Sequence, residues 1–217
     1  MYRRIFSGIV ERGKTTAFLD AMRESSAHQE GRGIRARTTV WGRMTGHTNG
    51  VIIASDFNTL DDLEKFTDLA AEDARFAAVR RAVQTQMVYD KSDVSIHRLA
   101  FHSEGLISSE EATAPRRYMR TLAGEVLPGR HREFVSSISV ALEYQKQRGI
   151  AATTSVWSAM TGGTSRVEIV AEFDSLNELE KFDEMALQDS DFAQLRRATR
   201  EAMVFLTSEV ELLRNLL

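Results

Sequence analysis

Thr38-Thr39-Val40-Trp41-Gly42-Arg43-Met44-Thr45-Gly46 occurs twice in this chain, the second time altered to Thr154-Ser155-Val156-Trp157-Ser158-Ala159-Met160-Thr161-Gly162. The only two tryptophans of the 217 residues hold the same place in the two copies, 116 positions apart. Outward from them, Leu63-Glu64-Lys65-Phe66 returns as Leu179-Glu180-Lys181-Phe182, and Arg80-Arg81-Ala82 as Arg196-Arg197-Ala198. Toward the N-terminus, Tyr2, Arg4, Gly8 and Val10 return as Tyr118, Arg120, Gly124 and Val126. Residues 1–101 thus lie on 117–217 without a gap, which marks a duplicated unit. Each copy, at roughly 100 residues, is large enough to bury its own core. The expected organisation is one unit over 1–100, a second over 117–217, and a linker over 101–116 whose Ser, Glu, Gly and Pro show little periodicity.

Each unit reads as β-α-β-β-α-β. Residues 2–10 have strand composition, ended by Gly13 in one copy and by Pro128-Gly129 in the other. A helix follows over about 14–30 and 130–147, and Gly33 and Gly149 suit the left-handed position just past a helix end. Residues 34–44 and 51–57 alternate about a turn at Thr45-Gly46, which is hairpin grammar. Thr59-Leu60-Asp61-Asp62 and Ser175-Leu176-Asn177-Glu178 place a hydroxyl cap and acidic residues at a helix start, where exposed amides need acceptors. That helix has room for a break near Asp73 and Asp189, and a last strand is expected around 92–99 and 207–214.

This element order resembles the ferredoxin-like unit. In detail the chain resembles the dimeric α/β barrel superfamily, and within it most closely NIPSNAP-type domains. The residues that carry the likeness are the Arg- and Tyr-bearing first strand leading to Pro128-Gly129, then Val156-Trp157-Ser158-Ala159-Met160-Thr161-Gly162, then Glu172-Phe173-Asp174-Ser175-Leu176. The resemblance implies an α+β fold of two tandem ferredoxin-like units, with facing sheets and helices outside. It implies self-association too, as a pseudo-dimer within the chain, as a homodimer, or both. Relatives in the superfamily include cofactor-free monooxygenases of aromatic substrates and haem-handling enzymes, which use the space between the sheets.

Composition narrows the function classes. A net charge of -3 gives no reason to expect a nucleic-acid partner. With no cysteine there is no disulfide, thiolate nucleophile or thiolate metal site. No apolar run approaches the ~18 residues of a membrane span, so the expectation is a cytoplasmic protein without a membrane partner. Phosphate loops, nucleotide fingerprints and His-x-x-x-His spacings do not occur, and no metal is expected.

Strand alternation sorts the candidate residues. One face carries Ile34, Ala36, Thr38, Val40 and Met44, matched by Ile150, Ala152, Thr154, Val156 and Met160, and is assigned to packing under the helices. The opposite face carries Arg35, Arg37, Trp41, Arg43 and Asp56 in copy one, against Trp157, Glu168 and Glu172 in copy two. Two readings stand. Arg35, Arg37 and Arg43 hold an anionic or carboxylate ligand beside Trp41, or these charges pair across the two facing sheets with the glutamates of copy two or sit solvated at the barrel mouth. Trp41 and Trp157, alike in both copies, read as packing or as cavity walls. Tyr2, Arg4, Tyr118 and Arg120 read as a structural set that has a second option, facing a ligand. Of five histidines, His97 on the last strand and His47 in the hairpin turn are the ones placed for function, and they are the axial-ligand candidates were haem bound. No cofactor is expected otherwise. Three functions follow: a small-molecule binding protein, a cofactor-free monooxygenase or haem-handling enzyme, or a structural protein acting through oligomerisation.

Overall fold

The computed structural model describes residues 1–104, 116–204 and 210–217, with backbone alone at 88–93 and 204. The first copy runs β1 (Tyr2–Val10), α1 (Thr15–Gly31), β2 (Ala36–Arg43), β3 (Gly50–Phe57), α2 (Leu60–Glu72), α3 (Ala74–Thr85) and β4 (Met87–His102). The second runs β5 (Tyr118–Val126), α4 (His131–Gln147), β6 (Thr153–Ala159), β7 (Arg166–Phe173), α5 (Leu176–Gln188), α6 (Ser190–Ala202), β8 (Met203–Val204) and β9 (Val210–Asn215). This is the α+β class expected, with antiparallel pairing of ferredoxin-like order.

Local chemistry places the element ends. Thr59 Oγ1 accepts the Asp62 amide at 3.1 Å, and Ser175 and Glu178 form a reciprocal capping box. Gly33 and Gly149 take φ of 72° and 74° directly after α1 and α4, a conformation other residues rarely adopt. The break in the second helix is real. Asp73 turns to φ −90°, ψ 107°, which ends α2, and its carboxylate accepts the Phe76 amide at 2.9 Å, which starts α3. Asp189 does the same between α5 and α6, accepting from Asp191 and Phe192 at 3.0 and 3.1 Å.

In each unit the middle strand is the second strand of the hairpin: β3 lies between β1 and β2, and β7 between β5 and β6. Register puts Arg3, Asp56 and Arg37 side by side in the first sheet, and Met119, Glu172 and Thr153 in the second. The helix-facing side carries the core, with Phe18, Met22, Val40, Val51 and Ile53 in one unit and Phe134, Ile138, Val156 and Val167 in the other. Met44 and Met160 depart from the expected packing face. They lie beyond their strand ends, 38% and 42% exposed, because alternation no longer aims a side chain once the ladder stops.

By their internal packing the described residues fall into two compact units. Unit one is Met1–His97 with Leu213–Leu217, whereas the described residues 98–104, 116–204 and 210–212 belong to unit two. In unit one Gly42 pairs with Arg214, and the Leu216 amide donates to the Val40 carbonyl at 2.9 Å. In unit two the Ser103 amide donates to the Thr154 carbonyl at 2.9 Å, and Ala100 and Phe101 pack on the core around Val156. The expected linker begins as strand, since Phe101 and His102 close β4; over 105–115 it lies outside the described residues, as does the expected last strand of copy two over 207–209.

Candidate functional site

The face turned from the helices holds the residues singled out by strand alternation, but it does not gather them. Asp56 is buried and takes two hydrogen bonds, at 2.6 and 2.9 Å, from the buried guanidinium of Arg3. The strand β1 thus supplies the cation that meets Asp56. Arg37 is half-buried and cross-strand from Asp56, Arg35 is exposed ahead of β2, and Arg43 is half-buried at its end. Trp41 is 2% exposed and donates to the Thr39 hydroxyl at 3.1 Å; Trp157 is 1% exposed and donates to the Ser155 hydroxyl at 2.8 Å. Both indoles therefore keep a partner for their one donor inside the packed sheet. Glu172 accepts the Arg116 amide at 3.3 Å, His97 is buried beside the Ser95 hydroxyl at 2.9 Å, and His47 is exposed in its turn.

The cavities lie on the helix side, which sequence reasoning had given over to packing. In unit two a cavity of about 500 Å³ opens between the sheet and α4, α5 and α6. In unit one the matching positions enclose about 80 Å³. Four of the matched lining side chains are reduced in the second unit. Phe6, Met22, Ser25 and Ser55 in the first unit become Leu122, Ile138, Ala141 and Ala171 in the second, each smaller or less extended. Gln29 uses the Ser25 hydroxyl as acceptor at 3.2 Å, and Thr38 shares a 3.0 Å hydrogen bond with Ser55. Ala141 and Ala171 offer no such partner. The walls of the larger cavity include Phe182 and Phe192, packed edge to face at 5.9 Å between centroids.

Charge is equally unequal. The larger cavity is lined by Arg120 from β5 and by Arg196 and Arg200 from α6, and none of its described lining residues is acidic. Arg120 sits over the Phe182 ring at 5.1 Å and reaches Asp183 at 3.7 Å. Burial, with Arg200 and Arg120 close by, pushes the Arg196 guanidinium below its ordinary value. In unit one the matching residues are Arg4, Arg80 and Gln84, with Arg4 over Phe66 at 5.5 Å. The readable signals were the recurrences of Arg4 as Arg120 and of Arg80 as Arg196. The Gln84-to-Arg200 change was visible too, but not its meaning, because helix periodicity does not tell which arginine turns toward a cavity.

A haem iron in the larger cavity would need an imidazole, thiolate or phenolate, and the described lining residues include none; His97 and His47 lie elsewhere. Among the described residues no group of three His, Asp or Glu is placed to hold a metal ion. Nor is any helix there long and apolar enough to cross a membrane.

No family profile and no curated protein matches the sequence. Solved structures do. An anthrone oxidase-like protein superposes with a TM-score of 0.67 at 13% identity, over 100% of this chain and 91% of its own. A candidate monooxygenase from Fusobacterium nucleatum gives 0.69 at 11% identity, over 100% and 92%. The chain has the dimeric α/β barrel fold. A candidate chlorite dismutase shares this fold at 0.62 and 16% identity, over 99% of this chain and 94% of its own. At these identities the likeness shows the fold alone and leaves activity to the residues of each chain.

Proposed function

We propose that this protein handles a small organic molecule in the helix-side cavity of its second unit, the first unit being a filled copy that serves as scaffold. The observation that carries this reading is the contrast of about 500 Å³ with about 80 Å³ at matched positions. Ligand sites of small molecules are concave, mostly apolar and of a few hundred Å³. The aromatic pair Phe182 and Phe192 favours a flat apolar body. The reading moves the site away from Trp41, Arg35, Arg37 and Arg43, and it gives His97 no part.

Oxygenation of such a compound, with molecular oxygen as co-reactant, is a second reading, supported by the oxidase-like and monooxygenase descriptions of the structural neighbours. A cationic, partly desolvated pocket lowers the cost of an anionic, electron-rich substrate, the form of an aromatic compound that oxygen attacks most readily. Native mass spectrometry of the full chain tests the primary reading and counts chains per assembly at once. The wild type is expected to carry one organic adduct per chain, or to take up one added naphthalene-class compound. Leu122→Phe, which installs the first unit's residue, is expected to lose it. Equal uptake by both proteins would remove the cavity from consideration. Oxygen consumption with the bound compound, measured with an electrode, separates an enzyme from a binding protein.

A further inference from the structure

We infer that the second-unit cavity selects an apolar ligand bearing one anionic oxygen group, read jointly by Arg120, Arg196 and Arg200. This rests on the cavity reading above and adds to it the chemical class of the ligand. Three guanidinium groups line one apolar space whose described lining residues include no carboxylate, and the exposed Asp183 lies 3.7 Å from Arg120. One exposed carboxylate at that distance does not neutralise three cations, two of which are half-buried. The first unit supplies the internal control. There the third position is Gln84, the remaining Arg4 and Arg80 lie over Phe66 at 5.5 and 5.9 Å, and the space is only about 80 Å³. Added cation and added volume thus occur together in one copy, as an anionic ligand with an apolar body requires. Guanidinium forks bind carboxylate oxygens in pairs, and they bind phenolate or enolate oxygens singly. Leu122, Ile138 and Phe192 then enclose the uncharged remainder.

The test uses the full chain and calorimetric titration with naphthoate and with its neutral counterpart naphthylmethanol. Nitrophenol, followed by its phenolate absorbance, represents the phenolate source. Wild type is expected to bind naphthoate at least about tenfold more tightly than naphthylmethanol. If phenolates are accepted, the bound nitrophenol ionises at lower pH than the free compound. Arg200→Gln places the first unit's residue at an exposed position and is expected to keep the fold. It should weaken naphthoate by roughly fivefold or more while leaving naphthylmethanol unchanged. Arg196→Met should do the same more strongly, and Arg80→Met in the first unit should do neither. Equal affinity for the charged and neutral compounds, with both lost in Leu122→Phe, would overturn the charge inference and leave the cavity reading intact. Failure of all three compounds to bind, or binding indifferent to Leu122→Phe, would overturn both.

Discussion

Asp73 and Asp189 each end one helix and start the next, and each is gripped from a different chemistry in its own unit. Asp73 accepts the Phe76 amide and meets His28 at 3.3 Å, together with Arg32, while the His28 ring stacks on Phe76 at 5.6 Å. Asp189 accepts the Phe192 amide, the Tyr144 hydroxyl at 2.8 Å and Arg148 at 3.2 Å, and Tyr144 stacks on Phe192 at 6.0 Å. Backbone amides first, then these side chains, hold both carboxyls below the ordinary carboxylate range. A carboxyl whose folded value is depressed contributes stability above its unfolded value and loses it as pH falls through the folded one. Asp73→Asn keeps a capping oxygen but removes that titration, so its melting temperature should fall less steeply than wild type's between about pH 5 and pH 2. Parallel profiles in thermal melts followed by circular dichroism would sink the idea. At the N-cap of α5, Ser175→Ala removes one half of a capping box and should cost about 1 kcal/mol in urea unfolding.

At the scale of elements, the same framework of strands and helices is packed in one copy and hollow in the other. Phe192 shows what the hollow copy still depends on. It is buried against Tyr144 and Phe182 at the start of α6, so Phe192→Ala should cost about 3–5 kcal/mol by denaturant unfolding. A loss under about 1 kcal/mol would mean that the α5–α6 corner is not a packed unit. The Arg3–Asp56 pair shows a different dependence. Asp56→Ala leaves a buried guanidinium without its carboxylate and should cost about 3 kcal/mol. The double change Arg3→Met with Asp56→Ala should recover most of that, since the second copy carries Met119 where the first has Arg3. A double mutant as unstable as the single would show that the pair is not what β1 and β3 share.

For the whole molecule, the element order was legible in both copies, because hydrophobic periodicity, caps and glycines are local signals that survive duplication. Asp73 as a helix break and Thr59 as a cap were legible for that reason. The cavity was not. Strand alternation tells two faces apart, but emptiness depends on whether Leu122 or Phe6, Ala141 or Ser25, meets the helices above, and that is a volume difference summed over distant positions. The composition of the units was hidden for a related reason, since strand partners separated by the length of the chain leave no periodic trace. Unit one draws on Leu213–Leu217, where Leu213 is fully buried and Leu216 packs on the core of Val40 and Val51. A chain ending at Leu212 should therefore lose stability in the first unit. The loss is at least about 2 kcal/mol for the buried Leu213 side chain, with the ladder on β2 lost as well. Trp41 pairs in register with Asn215, so its fluorescence reports this unit, and a Trp157→Phe background isolates the signal. In that background the truncated chain should show the Trp41 transition at lower urea than the full chain, and Leu213→Ala in the full chain should fall between them. If the Trp41 transition is unmoved by truncation, the first unit does not need the chain end, and a fragment of residues 1–97 should fold without it.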